Sequence, residues 1–181
     1  RNHRDWTKTP KVEYINSLIY SDHYLYEQEL ENIFSKVWVP MCHSSEMPNL
    51  GDFRKTQIAL KNVVAIRFEG NKVRTFLTDS VTYHSGKWTE LPCEVKHGGM
   101  IWTTLDIDNP KTVDEWTAGA FDCIADAIDA EEMEVFHYHK AVIDTNYKLW
   151  HDTNSEFYHD FMHYFNRVSG FNDEYFARKN I

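Results

Sequence analysis

The chain has 181 residues and a formal net charge of −9, because its 28 acidic residues outnumber its 19 Lys and Arg. This acidic balance excludes sequence-independent nucleic-acid binding, which depends on Lys and Arg neutralising phosphates. No run approaches the roughly 20 apolar residues of a membrane-spanning helix, and the first residues hold no apolar signal core. Hydrophobic residues make up 42% of the sequence, enough for the core of one or two globular domains. We therefore expect a soluble, cytoplasmic protein that binds neither nucleic acid nor membrane.

The three cysteines, Cys42, Cys93 and Cys123, are far apart in the sequence and form no Cys-x-x-Cys pair. Such spacing does not indicate a disulfide framework, and free cysteine is among the residue types most often buried. We interpret all three as buried free thiols in a reducing compartment.

The first half of the chain predicts one helix and then antiparallel strands. Ser21 or Asp22 can cap a helix whose apolar residues recur at helical spacing, and this helix ends by Pro40. Three strand-like runs follow, separated by Lys61-Asn62 and by Gly70-Asn71, an arrangement that is typical of a β-meander.

Later segments predict a second hairpin, a helix and one more strand. Gly98-Gly99 precedes a strand that begins at Met100, which favours an antiparallel hairpin. Asn109-Pro110 breaks the chain, and we place a domain boundary near it. The residues from Val113 to Ala130 show helical spacing of apolar side chains. Those from Met133 to Ile143 are rich in β-branched and aromatic residues and predict a strand.

The stretch from Asn146 to Arg167 combines carboxylates and imidazoles on one predicted helix face. At roughly 100° per residue, two acidic residues and two histidines fall on a single stripe. They are Asp152, Glu156, His159 and His163. Aromatic residues occupy a different face of the same helix: Trp150, Phe157, Phe161 and Tyr164. A helix of this kind can bury its aromatic face and present the other face to a metal ion.

The two histidines and the nearby carboxylate indicate a metal site. Neutral imidazole and carboxylate are the ligands of the 2-His-1-carboxylate facial triad, which leaves coordination positions open for dioxygen and substrate. Iron(II) is therefore the first choice. Zinc would accept the same atoms, but no general base for hydrolysis is evident elsewhere in the sequence. The competing interpretation is that His159 and His163 are partly buried polar residues beside an aromatic core.

The same helix resembles the signature of a known enzyme family. Asn146-Tyr147-Lys148, Asp152, Glu156-Phe157-Tyr158-His159 and His163 resemble the motif N-W-K…E-N-x-x-D/E-x-Y-H-x4-H. That motif belongs to the catalytic domain of Rieske-type non-haem iron oxygenases, the α subunits of ring-hydroxylating dioxygenases and related monooxygenases. Three upstream segments are similar to the helix and strands of the family's Rieske domain: residues 24–53, 62–79 and 91–106. The resemblance covers most of the chain, in the family's order.

The resemblance implies roles for individual residues of this helix. His159 and His163 would be ligands of a mononuclear iron(II), and Tyr158 would line the substrate pocket. Glu156 would take the place of the carboxylate that passes an electron across a subunit interface. The family usually places its second histidine five residues after the first, which is the position of Tyr164. We predict His163 instead, because four residues are about one helical turn and bring both imidazoles to one face.

The cluster motifs of the family are the main departure. A Rieske [2Fe-2S] centre needs two Cys and two His, and the family supplies them as Cys-x-His-Arg-Gly and Cys-x-x-His. Between Leu77 and Leu91, where both motifs belong, the sequence holds His84 and no cysteine. His84 is a candidate remnant of a cluster motif, although an exposed loop histidine is the simpler interpretation. The family's third iron ligand, a downstream carboxylate, is not found before Ile181.

Together with the predicted elements, the resemblance implies an α+β fold in two domains. Residues 1–109 would form an N-terminal helix and an antiparallel β Rieske-like domain, with the cluster loop missing near 79–90. Residues 110–181 would begin a catalytic domain of helices and an antiparallel sheet, in the helix-grip arrangement.

The resemblance also implies an activity and partners. Dioxygen would hydroxylate a small organic substrate at the iron(II), with electrons from NAD(P)H delivered through a reductase, sometimes a ferredoxin, and a [2Fe-2S] cluster. The α subunits of this family form trimers, alone as α3 or with β subunits as α3β3. Residues 159–167 resemble the members that oxidise alkanesulfonates, so an alkanesulfonate stands beside an aromatic acid or hydrocarbon as the expected substrate.

Three explanations for the missing cluster ligands stay open. The sequence can be part of a longer subunit whose cluster loop and C-terminal half are unrecorded. It can also be a cluster-less paralogue with a structural or binding role in an oligomer. The third explanation is a carboxylate-bridged di-iron protein, which requires a second Glu-x-x-His motif on another helix, and no other predicted helix carries one.

Overall fold

The computed structural model describes residues 16–79, 87–108, 111–128 and 132–155 together with Tyr164. Its strands are β1 (Val39–His43), β2 (Phe53–Ile58), β3 (Lys61–Arg67), β4 (Val73–Thr78), β5 (Trp88–Leu91), β6 (Cys93–Lys96) and β7 (Met100–Thr103). Its α-helices are α1 (Leu18–Ser21), α2 (His23–Glu29), α3 (Val113–Thr117), α4 (Ala125–Ile128) and α5 (Tyr147–Ser155). Antiparallel sheets with short helices confirm the predicted α+β class.

Two antiparallel sheets form the centre of this fold. The first follows the chain order, β2-β3-β4-β5, and confirms the predicted β-meander with β5 added at its edge. The second has the order β1-β7-β6, so β7 pairs with β1 on one side and with β6 on the other. The β6-β7 hairpin turns through Gly98 and Gly99, both with positive φ, as their sequence predicts.

The turn between β2 and β3 lies two residues before the predicted one. It consists of Ala59 and Leu60, whose φ angles of 48° and 64° are those of the left-handed pair in a two-residue hairpin. Lys61 and Asn62 are not the separator; they begin β3 and pair with the end of β2. Since neither turn residue is Gly, Asn or Asp, the usual sequence signal for such a turn is missing here.

The two sheets pack against each other through buried apolar side chains. Ala65 on β3 packs with Met47 and with Ile101 on β7, and all three are fully buried. A second cluster contains Ile58, Val63 and Leu91. Removal of this apolar surface from water is the main favourable contribution to the stability of such a sandwich.

A buried hydroxyl pair also joins the sheets. The Oγ1 atoms of Thr75 on β4 and Thr103 on β7 lie 2.8 Å apart, and both residues are fully buried. Thr103 in turn donates to the carbonyl oxygen of Pro92 at 2.9 Å. Pro92 is the single residue between β5 and β6, so these bonds satisfy polar groups where the chain passes from one sheet to the other.

The predicted N-terminal helix is confirmed as α2 with a π-helical turn after it. α2 begins at His23, directly after the expected cap Asp22, and the wider turn Leu30–Phe34 continues it. The chain leaves helical geometry before Pro40, which lies inside β1.

The predicted helix from Val113 to Ala130 is divided in the structure. α3 follows the cap Thr112, whose hydroxyl accepts a hydrogen bond from the backbone N–H of Glu115 at 3.2 Å. It ends at Ala118, whose φ of 49° is left-handed, a common helix terminus. Apolar spacing therefore continues toward α4 although the helical backbone does not.

The predicted strand from Met133 to Ile143 is wrong. These residues are all described, and their backbone forms no ladder with any described strand. Phe136 is 98% exposed and Val142 is 94% exposed. β-branched and aromatic residues favour a strand through packing against neighbours on a sheet, and no described strand supplies such neighbours here.

Contacts divide the chain into two units. The first, called here the sheet unit, contains residues 23–139 and both sheets. The second, the helix unit, contains residues 1–22 and 140–181, and its described helices are α1 and α5. The domain boundary near Asn109 remains a prediction. Within the described part of the chain, we find no helix of the length and apolar character needed to cross a membrane.

Candidate functional site

The predicted metal ligands and their neighbours lie outside the described residues. This holds for His159, His163, Glu156 and Tyr158, and also for His84 between β4 and β5. Their roles therefore remain predictions. The structure does describe the residues that precede them, because α5 extends to Ser155 and confirms the first part of the predicted helix.

Asn146 fixes the beginning of α5. Its side-chain oxygen accepts a hydrogen bond from the backbone N–H of Lys148 at 2.9 Å, as an N-cap residue does. Its side-chain nitrogen donates to the carbonyl oxygen of Tyr20 at 2.8 Å. One side chain thus satisfies a free helix N–H and also connects α5 to α1 within the helix unit.

Tyr20 makes a second contact with α5. Its hydroxyl donates to Oδ2 of Asp152 at 2.5 Å, and this hydrogen bond to a carboxylate raises the pKa of Tyr20. Asp152 belongs to the predicted acidic stripe and lies four residues before Glu156 in the sequence. Sequence reasoning misses Tyr20 because 132 positions separate it from Asp152, and no local pattern links the two.

The aromatic face predicted for this helix is not buried at the two positions that the structure describes. Trp150 is 57% exposed and Tyr164, which is also helical, is 62% exposed. None of the residues of α5 is buried. The expectation that this face packs into a core is therefore wrong for Trp150 and Tyr164, and α5 is held by its polar contacts with Asn146 and Tyr20.

The three cysteines do not fit a [2Fe-2S] cluster. Cys42 and Cys93 lie on β1 and β6, the strands that flank β7, and both pack against the apolar cluster around Ile101. Burial raises the pKa of the Cys42 thiol to about 12 and that of Cys93 to about 11. Cluster iron binds thiolates, so these sites favour the wrong protonation state. Cys123 is exposed, contrary to expectation, and its thiol donates to the carbonyl oxygen of Ala120 at 3.2 Å.

His43, the histidine next to Cys42, uses both ring nitrogens in hydrogen bonds. Nε2 donates to the carbonyl oxygen of Gly98 at 2.5 Å, and Nδ1 accepts from the backbone N–H of Ser45 at 3.2 Å. These partners assign the neutral tautomer with hydrogen on Nε2. His43 therefore holds the β6-β7 turn and has no nitrogen left for a metal. Among the described residues, no three His, Cys, Asp or Glu side chains are grouped so that they could hold a metal ion.

β4 and β5 are joined by a nine-residue connection, residues 79–87. Thr78 and Trp88 are opposite residues of the strand pair, and the backbone N–H of Lys87 donates to the carboxylate of Asp79 at 3.1 Å. The two ends of the connection are therefore adjacent. Residues 80–86, with His84, lie outside the described residues. The family resemblance places both cluster motifs at this connection.

Solved structures with a similar fold are Rieske-type oxygenases. The naphthalene 1,2-dioxygenase from Rhodococcus sp. aligns with a TM-score of 0.69 over 86% of this chain and 46% of that chain, at 20% identity. The quaternary ammonium Rieske monooxygenase CntA aligns with a TM-score of 0.65 over 79% of this chain and 52% of that chain, at 18% identity. At these identities the likeness establishes the fold, which is that of a Rieske oxygenase chain.

Sequence comparison defines the family. The chain is 42% identical over 99% of its length to the methanesulfonate monooxygenase hydroxylase subunit α of Methylosulfonomonas methylovora, of which it covers 57%. It is 32% identical over 91% of its length to the 2-aminobenzenesulfonate 2,3-dioxygenase subunit α of Alcaligenes sp., of which it covers 54%. The chain belongs to the α subunits of Rieske-type non-haem iron oxygenases, and it spans about half the length of these curated relatives. No family model matches the chain.

The alignment with the methanesulfonate monooxygenase subunit is longer than the chain itself. It extends over 240 residues, whereas the chain has 181. About 60 positions of the aligned region of this relative therefore face gaps in the chain. The chain thus differs from the relative inside the aligned region as well as in total length.

Proposed function

We propose that the chain belongs to the oxygenase component of an enzyme that hydroxylates a small organic substrate with dioxygen at a mononuclear iron(II). The observation that carries the proposal is the 42% identity to a monooxygenase hydroxylase subunit over 99% of the chain. This match includes both the sheet unit and the helix with the predicted ligands. A fold match alone would support much less, because one fold serves many functions.

His159 and His163 are the proposed iron ligands. Imidazole groups four residues apart on a helix lie on one face, about one turn from each other, and can reach the same ion. Bound iron(II) supplies open coordination positions for dioxygen. Tyr164 is the alternative second ligand by family spacing, but its side chain is 62% exposed and a phenol is a less common ligand than imidazole.

The described residues of the helix unit are proposed to position these ligands. Asn146 caps the helix, and Tyr20 holds Asp152, which lies four residues before Glu156 in the sequence. Both contacts fix the direction of α5 as it approaches the predicted site. Glu156 is proposed to occupy the position of the carboxylate that passes electrons between subunits in this family, and Tyr158 is proposed to line the substrate pocket.

A small organic sulfonate is the proposed substrate. Two curated relatives that align with more than nine-tenths of the chain are named for methanesulfonate and for 2-aminobenzenesulfonate. One substrate is aliphatic and the other aromatic, so the feature that they share is the anionic sulfonate group. The higher identity to the methanesulfonate enzyme favours an alkanesulfonate as the first candidate.

The proposed enzyme also needs an electron donor and other subunits. Electrons are proposed to come from NAD(P)H through a reductase, with or without a ferredoxin. The subunits are proposed to form trimers in the cytoplasm, as α3 or α3β3. The division into a Rieske-like domain up to about Asn109 and a catalytic domain after it belongs to the same proposal. We include no electron step through a [2Fe-2S] cluster, because the cysteines and His43 do not fit one.

Iron content tests the proposed ligands. In protein produced from its full reading frame and loaded anaerobically with iron(II), we expect His159→Ala and His163→Ala each to lose the mononuclear iron. Each variant removes an imidazole donor that the other ligands cannot replace. Tyr164→Phe is the matched control, because it removes a phenol oxygen one residue away and is expected to keep the iron. Full iron content in both histidine variants, or iron loss in Tyr164→Phe, contradicts the assignment.

Ligand binding tests the substrate class without requiring electron delivery. Calorimetric titration of the iron-loaded protein is expected to detect methanesulfonate and to show weaker binding of acetate, its carboxylate analogue. The reason is that a site built for a tetrahedral sulfonate leaves a donor unpaired when the planar carboxylate binds. Equal affinity for the two anions, or no binding of methanesulfonate, contradicts the proposed substrate class.

A further inference from the structure

We infer that the sheet unit of this chain is a cluster-free form of the Rieske-like fold, and that a cluster-binding segment would attach between the adjacent residues Asp79 and Lys87. The inference rests on the family assignment and not on the proposed oxygenase activity. Four features of the sheet unit support it. They are the surroundings of its cysteines, the contacts of its histidines, the adjacent ends of β4 and β5, and the side-chain contacts that hold β5 in the sheet.

The first support is the state of the candidate donors. A Rieske cluster takes two thiolates on one iron and two imidazoles on the other. Cys42 and Cys93 face the apolar cluster of Met47 and Ile101, where the thiol form is favoured. His43 has both nitrogens occupied by Gly98 and Ser45. Turning these groups into ligands would require opening the interface between the two sheets.

The second support is another histidine of the sheet unit, His97, in the β6-β7 turn. Its ring stacks on Phe121 with centroids 4.1 Å apart and meets Trp102 edge to face at 5.9 Å. Its Nε2 lies 3.7 Å from a carboxylate oxygen of Asp114. The ring is therefore fixed in an aromatic pocket with an acidic neighbour, and no cysteine belongs to this group.

The third support is that the end of β4 and the beginning of β5 are adjacent. The strand pair continues to Thr78 and Trp88, and the bond from the Lys87 N–H to Asp79 lies one residue further on each side. Adjacent ends of this kind allow a segment of any length to be inserted without moving the strands, because closing a longer loop costs only slightly more entropy. At nine residues, the β4-β5 connection is longer than the connections between the described hairpin strands β2-β3, β3-β4 and β6-β7.

The fourth support is that β5 is held in the sheet by side chains of the sheet unit itself. Leu91 is buried in the core, and Trp88 packs edge-on against Phe76 with centroids 5.7 Å apart. Arg74 on β4 pairs with Glu90 on β5 across the surface. The contacts that fix β5 therefore involve no metal ligand, and the sheet does not depend on a cluster for its last strand.

The length of the sequence alignment agrees with this location. About 60 positions of the methanesulfonate monooxygenase subunit face gaps in this chain. The tight turns Ala59–Leu60 and His97–Gly99 close their hairpins with two and three residues, and Pro92 alone connects β5 to β6. The β4-β5 connection, where the resemblance expects both cluster motifs, is the position best suited to hold the missing segment.

Reconstitution with iron and sulfide is the direct test. After anaerobic treatment of the 181-residue chain, we expect no acid-labile sulfide to remain bound after gel filtration and no visible absorption of an iron–sulfur centre. In the His163→Ala variant, which is expected to hold no mononuclear iron, the thermal unfolding midpoint should be the same before and after the treatment, because no metal holds the sheets together. Labile sulfide bound in proportion to the chain, and lost in both Cys42→Ser and Cys93→Ser but not in Cys123→Ser, would overturn the inference.

Two insertions at one position test the attachment point. In the first, residues 80–86 are replaced by the segment that the methanesulfonate monooxygenase subunit carries between its corresponding strands, and we expect about one [2Fe-2S] cluster per chain. In the second, a Gly-Ser segment of equal length is used, and we expect a folded, cluster-free protein. A graft that folds but binds no cluster, or a Gly-Ser variant that unfolds the sheets, contradicts the proposed position.

These measurements are separable from the test of the proposed function. Iron bound by His159 and His163 carries no sulfide, so sulfide content reports on the sheet unit alone. Loss of mononuclear iron in the histidine variants and absence of labile sulfide in the unaltered chain are therefore independent results.

Discussion

The sheet unit and the helix unit differ in how they are stabilised. Every fully buried side chain among the described residues lies in the sheet unit, before residue 114, and the described residues of the helix unit (16–22, 140–155 and Tyr164) include no buried residue. The sheets are held by apolar clusters and a buried hydroxyl pair. The nine residues of α5 are held by the Asn146 cap and by Tyr20.

This difference indicates how the two parts depend on their surroundings. A helix of this length is marginal in water without tertiary packing, so α5 gains most of its order from contacts beyond its own residues. The sheet unit contains its own core. The predicted iron ligands thus follow a region without buried residues among those described, whereas the sheet unit has a core of its own.

The largest effect is expected in the core of the sheet unit. Ile101→Ala should lower the free energy of unfolding by about 2–5 kcal/mol, because it leaves a cavity beside Met47 and Ala65. Val142→Ala, at a position that is 94% exposed, is the matched control and should change it by less than about 0.5 kcal/mol. Urea unfolding followed by circular dichroism measures both. If the two variants lose similar amounts of unfolding free energy, the sheet unit and the helix unit do not differ in how they are stabilised.

A smaller effect is expected at the hydroxyl pair that joins the sheets. Thr103→Val removes the donor to Pro92 and the partner of Thr75, and it should cost about 1–3 kcal/mol because buried polar groups lose their bonds. When Thr75→Val is added to the Thr103→Val variant, it should lower the free energy of unfolding by less than it does in the unaltered protein, because the two hydroxyls act as a pair. Thr153→Val on the exposed surface of α5 is the control. Strict additivity of the two core substitutions would contradict the coupling.

The smallest effect on stability is expected at Tyr20. Its hydrogen bond to Asp152 raises the pKa of the phenol above the ordinary value of 10.0. A raised pKa means that the contribution to stability is fully present below pH 10 and is lost as the pH rises through the higher value. Ultraviolet titration should therefore detect one late-titrating tyrosine that is absent in Tyr20→Phe. Asp152→Asn should lower the pKa of this tyrosine toward its ordinary value. An unchanged titration in that variant would exclude the hydrogen bond between Tyr20 and Asp152.

Much of the sheet unit could be predicted from local sequence patterns. Alternating side chains and the Gly70-Asn71 and Gly98-Gly99 turns define β2 to β4 and the β6-β7 hairpin. The predictions of a strand at residues 133–143 and of one long helix after Val113 are wrong because the local preference of these residues is overridden by contacts elsewhere in the fold. Residues 133–143 have strand-forming side chains but no described partner strand, and the helix after Val113 stops at Ala118 because its backbone turns left-handed there.

The candidate site could be predicted only in part. The spacing of Glu156, His159 and His163 and the family motif define a metal site from sequence, and these residues lie outside the described part of the chain. The contact between Tyr20 and Asp152 could not be predicted, since the two residues meet only when distant segments fold together. Cys42 was expected to be buried and is half-buried, whereas the exposure of Cys123 follows from its place in a short helical turn outside both sheets.

The strand order β1-β7-β6 has a consequence for how the chain reaches its folded state. Val39 on β1 pairs with Thr103 on β7. In the sequence, all four strands of the meander lie between β1 and β7, so this pairing closes a loop that contains the whole meander. Loops that close over few residues cost less entropy than those that close over many, and local contacts speed folding. We therefore expect the meander to be the folding nucleus and β1 to join last. An insertion at residues 79–87 would lengthen the loop that the pairing of β1 with β7 has to close. Cluster assembly on a grafted segment would then occur during the same period of folding as the pairing of β1 with β7.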